Sequence, residues 1–180
     1  MGWGRARWRR QAWRIPPLRF SWLALAAFVP QLIAVYLPAT RPRISDAWGA
    51  AGLLVSLGLY LLFCWLNRRI PGIALLAAGL ISNLLVMAAN GGFMPISPET
   101  ASRLVPENIL ASLEPGSRFG WKDILLLPEA TRLFFLSDCL LLPQGFPYQV
   151  AFSPGDILIA GGAFWLMAAG AERPVLKERS

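Results

Sequence analysis

Four long stretches of this chain carry no charged side chain away from their edges, and that limits the folds open to it. They cover residues 20–38, 47–66, 70–90 and 156–171. A helix needs about 20 apolar residues to cross a hydrocarbon core about 30 Å thick. No water is present there, so each segment must satisfy its own backbone amides, as a helix does. The expected fold is an all-α membrane protein of about four transmembrane helices (TM1 to TM4 in the order above). Pro30 and Gln31 interrupt TM1, and TM4 is short for a span. A fifth apolar stretch, 133–142, is ten residues long and split by Asp138. That length suits an interfacial or re-entrant piece. No small-x-small cleavage site follows Tyr36, so TM1 reads as a retained helix rather than a removed signal peptide.

Charge sets the orientation. Six arginines precede TM1, Arg68 and Arg69 lie between TM2 and TM3, and Arg173, Lys177 and Arg179 follow TM4. With four spans these eleven basic residues share one side, against six on the other. Positively charged loops stay in the cytoplasm, so both termini are expected inside a bacterial plasma (inner) membrane. The parts are then a basic cytoplasmic arm (1–19), the four spans, an extracytoplasmic cap segment (91–155) and a cytoplasmic tail (172–180).

The net charge of +7 does not point to nucleic acid, because no soluble basic face with interleaved aromatics is present. The arm, which carries Trp3, Trp8 and Trp13 among its arginines, is read as an anchor on anionic lipids. Each basic residue contributes about 1 kcal/mol there. A docking arm for an acidic partner is the alternative. The chain has no histidine, which removes the commonest general base and metal ligand. No phosphate loop, dinucleotide fingerprint or Cys-x-x-Cys occurs, so no cofactor and no metal are expected. Cys64 and Cys139 fall on opposite sides of the expected topology and are not expected to pair.

The polar punctuation singles out the candidate residues. Asn90-Gly91-Gly92 ends TM3, where a glycine can take the left-handed conformation that closes a helix. Ser153-Pro154-Gly155-Asp156 opens TM4: Ser153 fits the N-cap, Pro154 the first turn, and Asp156 can reach back to the cap amide. Gly79, Asn83 and Asn90 share one face of TM3. They are read as interhelical glue, with a polar cavity as the alternative. Gly52 and Ser56 form a small-xxx-small pair on TM2. The cap segment holds 65 residues and eight prolines, and is expected to form short helices and turns over the helix ends. Asp138 lies among leucines there and needs a partner. Arg132, helix-end amides and water in a pocket are the candidates. Asn83, Asn90, Asp138 and Asp156 are the candidate polar cluster.

The string from Asn83 to Pro95, with Asn-Gly-Gly-Phe-Met-Pro at its end, resembles the hallmark of a domain-of-unknown-function family of small bacterial integral membrane proteins. Leu136-Ser137-Asp138 and Phe152-Ser153-Pro154-Gly155-Asp156 are similar to its two later motifs. The resemblance implies a topology and carries no established activity.

Two functional classes follow. An accessory or structural subunit, packing against lipids or within a larger membrane complex, is favoured over an enzyme because most polar residues have packing roles. The alternative is a carrier or enzyme for a lipid-like molecule, with Asn90, Asp138 and Asp156 converging at the outer face.

Overall fold

The computed structural model describes residues 16–33, 37, 43–143 and 145–170. Most of the basic arm, residues 38–42 and the tail from 171 lie outside the described residues. Four apolar helices dominate: α1 (Ser21–Gln31), α2 (Asp46–Leu66), α3 (Ile73–Ala89) and, after a long intervening segment, the helix Pro154–Ala169.

Between α3 and the last helix lie β1 (Met94–Ile96), α4 (Pro98–Ala101), α5 (Glu107–Leu110), β2 (Arg118–Phe119), β3 (Asp123–Leu125), β4 (Leu140–Leu141) and β5 (Ala151–Phe152). The helix Pro154–Ala169 is therefore α6. Helices and turns alone were expected in this segment, but it also holds two small sheets. β1 pairs in parallel with β3, β2 pairs antiparallel with β3, and β4 pairs antiparallel with β5. Pro95 is tolerated in β1 because that strand lies at the sheet edge. The free edge of β1 is used by the Asp138 amide, which donates to the Pro95 carbonyl at 3.0 Å. Ile96, Ala101, Phe119 and Leu125 are buried together, giving the segment its own small core.

α3 and α6 pack against each other more extensively than any other pair of described elements. Glycines make this possible. A β-carbon on Gly79 would lie 2.8 Å from the Ile159 nitrogen, and one on Gly162 would lie 2.8 Å from the Gly72 carbonyl oxygen. Gly72 faces Gly162 while Gly79 faces Gly155, so the two helices run antiparallel with their backbones in near contact. α1 packs on α2. Pro30 sits inside α1, and the next amide, of Gln31, donates to Ser56 Oγ on α2 at 3.2 Å. Ser56 is fully buried, so this member of the small-residue pair bonds α1.

Two asparagines close helices by the same device. Asn67, the C-cap of α2, accepts from the Arg19 amide at 2.8 Å and donates to the Arg19 carbonyl at 3.0 Å and the Phe63 carbonyl at 2.9 Å. Asn90, the C-cap of α3, accepts from the Arg132 amide at 2.9 Å and donates to the Arg132 carbonyl at 2.8 Å and the Val86 carbonyl at 2.7 Å. In both places the residue after the clasped arginine is left-handed: Phe20 at φ 53° and Leu133 at φ 55°. Such a conformation costs a non-glycine residue about 1 kcal/mol or more, and the clasp holds the chain in it. Beyond Asn90, Gly91 and Gly92 have φ of 80° and 90°. The Gly92 amide reaches back to the Met87 carbonyl at 2.7 Å, closing α3 in the Schellman manner.

Candidate functional site

The four candidate polar residues divide into three arrangements. Asn83 and Asp156 meet directly. The Asn83 Nδ2 donates to Asp156 Oδ1 at 2.9 Å, and the Ser153 hydroxyl donates to Asn83 Oδ1 at 3.0 Å. Asp156 also closes a capping box: its Oδ2 accepts from the Ser153 amide at 2.9 Å, while its own amide donates to Ser153 Oγ at 3.1 Å. Pro154 occupies the first turn, and Gly155 leaves room for the Asn83 carboxamide, which a β-carbon there would strike. The start of α6 is thus bolted to the middle of α3.

Asn90 is elsewhere, occupied by the Arg132 backbone. It does not join the carboxylates in hydrogen bonding.

Asp138 belongs to a third group, which includes two residues the sequence reading did not single out. Its partner is neither Arg132 nor a set of helix-end amides. Lys122 Nζ lies 2.7 Å from Asp138 Oδ2 and 3.3 Å from Asp123 Oδ1. The Asp138 side chain is 2% exposed and that of Lys122 33% exposed. The Asp123 and Asp138 carboxyl groups thus approach the same ammonium from two sides, and Asp156 acts on both through its charge. Burial pushes Asp138 up to about 7; Asp123 and Asp156 push the same way and Lys122 opposes them. Burial likewise raises Asp123, against the pull of Lys122. Burial disfavours the charge on Lys122, but Asp123 and Asp138 outweigh it and hold the ammonium well above its usual range. A flexible ammonium suits this place because it is a compact charge able to serve two carboxylates at once.

Arg118 adds a tie from the segment to α2. Its guanidinium stacks 4.7 Å over the Phe93 ring and lies 3.4 Å from Asp46 Oδ1. Asp46 is largely exposed, so the ion pair itself contributes at most about 1 kcal/mol.

No group of three or more metal-binding side chains occurs among the described residues. Cys64 and Cys139 are both free thiols.

The family of unknown function DUF5317 matches residues 16–168, most of the chain. This chain belongs to DUF5317. A protein of Thermotoga maritima described as uncharacterized is 33% identical over 108 residues, which are 59% of this chain and 55% of that protein. The match therefore spans about half the length of this DUF5317 member's curated relative. No solved structure matches the chain.

Lys122 and Asp123 escaped the sequence reading because both look like ordinary charges in a polar loop. One signal was available: Lys122 is one of only two lysines among seventeen basic residues. Asn67 offered none, since asparagine beside two arginines at a helix end reads as a solvated turn.

Proposed function

We propose that this DUF5317 member is a bacterial inner-membrane protein with four spans and both termini in the cytoplasm. Its role in this reading is structural: an accessory subunit whose outer segment is fixed rigidly to the bundle and packs against other membrane proteins or lipids. The observation that carries the structural part is the use of polar side chains. Asn83, Asn90, Ser153 and Asp156 are all spent on joining one part of the chain to another.

The membrane part rests on the surface of the helices. One described helix, α2, is long and apolar enough to cross a bilayer by length and composition. Trp48 and Trp65, near its two ends, are 74% and 63% exposed. Seventeen residues of helix separate them by about 25 Å, close to the thickness of a hydrocarbon core, and tryptophan favours the two membrane interfaces. Trp22 on α1 and Trp165 on α6 are also exposed. In the four-span arrangement they fall at the same end as Trp65, Arg68 and Arg69. α3, with 17 residues, sits at the short limit for a span and α6, with 16, just below it, lengths to which a bilayer adjusts by thinning. The basic arm would then lie on anionic headgroups.

A second reading, a carrier or enzyme for a lipid-like molecule at the outer face, is favoured by one observation. A cavity of about 740 Å³ opens in the outer segment, lined by Ser97, Glu99, Thr100, Arg103, Phe134 and Cys139 among others. That volume falls in the range of small-molecule sites. Neither Asp138 nor Asp156 lines it.

The test is purification from native membranes in a mild detergent at natural abundance. The structural reading expects the chain to co-migrate in fixed ratio with one or more larger membrane proteins. A chain that runs alone and carries a tightly bound amphiphile would contradict it and support the second reading.

A further inference from the structure

Buried Asp138 and the partly buried Lys122 and Asp123 form a group with an unbalanced charge. Asp123 and Asp138 face one ammonium, and Asp156 at the N-terminus of α6 lies near enough to add to the imbalance. Both Asp156 oxygens already have donors, from Asn83 and Ser153. Asp138 Oδ2 has the Lys122 ammonium. The remaining oxygens differ: Asp138 Oδ1 is buried and accepts no hydrogen bond, and buried Asp123 Oδ1 meets the Lys122 ammonium only as an ion pair at 3.3 Å. Two ionised carboxylates cannot donate to each other. Both approach the same ammonium, and one proton held between them removes one negative charge from the interior.

We propose that Asp123 and Asp138 hold a single proton between them, bracketed by Lys122, and that this pair is a proton-binding site that fastens the Asp138 loop to the small sheet close to the start of α6. Asp123 comes from β3, Asp138 from the loop that closes the edge of β1, and Lys122 from the turn between β2 and β3. Asp156, the charged group facing them from the bundle, belongs to α6. When the proton leaves, it goes to solvent past Lys122, whose side chain is 33% exposed. The pair is then left as two carboxylates beside a third, with one ammonium among them. Repulsion then pushes β3 and the Asp138 loop away from the start of α6. The seam between outer segment and bundle is therefore tighter in acid and looser in alkali. The pair lies outside the four long helices, so its titration does not depend on whether those helices cross a bilayer.

The sign of the linkage is fixed by burial. The folded chain holds this proton more tightly than the unfolded chain does. The stability it contributes is full below the ordinary carboxyl range and is lost as pH rises through about 7.

The test is infrared titration of the purified full-length protein in detergent, in water and in deuterium oxide, reading the carbonyl band of a protonated carboxylic acid. Ordinary carboxyl groups are ionised above about pH 6, so a band surviving there reports a perturbed acid. The wild type should show one such band, lost as pH rises through about 7. Asp138→Asn should remove it, and should also abolish the higher melting temperature in mild acid. The asparagine amide keeps a donor for Asp123 and an acceptor for Lys122, so this variant should fold. Asp123→Asn should move the midpoint of the band downward by removing a neighbouring charge. A folded wild type with no acid band above about pH 6, or a band that survives in both variants, would overturn the proposal.

Discussion

Lys122 Nζ stands 2.7 Å from Asp138 Oδ2 in a place where the carboxylate is almost wholly withdrawn from water. The two residues are sixteen apart in sequence and sit on different loops, and their contact fixes the Asp138 loop to the small sheet. Removing one partner of a buried pair costs more than the pair itself is worth, because the other is left uncompensated.

Lys122→Met is accordingly expected to lower stability, by about 1–3 kcal/mol rather than the larger cost of a stranded charge, because Asp138 can respond by holding a proton. The same substitution removes the neighbour that opposes Asp138's upward shift. Its titration midpoint should rise above about 7. Thermal melting across a pH series checks both, and a midpoint that stayed put would mean Lys122 does not bear on Asp138 in solution.

The paired asparagine clasps predict matched effects. Asn67→Ala and Asn90→Ala should each destabilise the protein by about 1–3 kcal/mol, because each strands backbone groups of an arginine that the carboxamide had satisfied. Asn90→Ala should loosen the segment between α3 and α6 selectively, seen as faster amide exchange around Arg132 and Leu133. Asn67→Ala should do so around Arg19 and Phe20. Uniform exchange changes in both variants would show that the clasps are not local devices.

Gly91 and Gly92 share the left-handed conformation but not the surroundings. A β-carbon at Gly91 meets open space, whereas one at Gly92 runs into Ala50 on α2. Gly91→Ala should cost about 1 kcal/mol from backbone strain alone. Gly92→Ala should cost clearly more, since α2 would have to move as well. Equal melting temperatures for the two variants would contradict the close approach of the turn to α2.

How much of this was legible in the sequence depends on range. The long apolar runs mark where α1, α2, α3 and α6 lie, because uninterrupted hydrophobicity is a local signal. The start of α6 was legible too: Ser153, Pro154 and Asp156 carry their roles in their spacing, and the structure draws them into a capping box. Gly79 and Asn83 could be read as a contact face but not assigned to α6. The strands were hidden, because two or three residues are too few to show an alternating pattern. Met94–Ile96 also pairs with Asp123–Leu125 across an intervening stretch that holds α4, α5 and β2. Asp138 announced that it needed a partner, yet nothing near it in the chain named Lys122. Arg132, the nearer cation, turned out to offer its backbone to Asn90 instead.

The central claim is that the four helices span a bilayer with the segment between α3 and α6 outside, and cysteine accessibility in intact cells tests it most directly. In a background with Cys64 and Cys139 replaced, single cysteines are placed at Ser112 in the outer segment and at Arg69 between α2 and α3, both exposed positions. An impermeant thiol reagent applied to whole cells should label Ser112→Cys at once and Arg69→Cys only after the membrane is opened. Labelling of both positions from outside, or of neither, would contradict the four-span account.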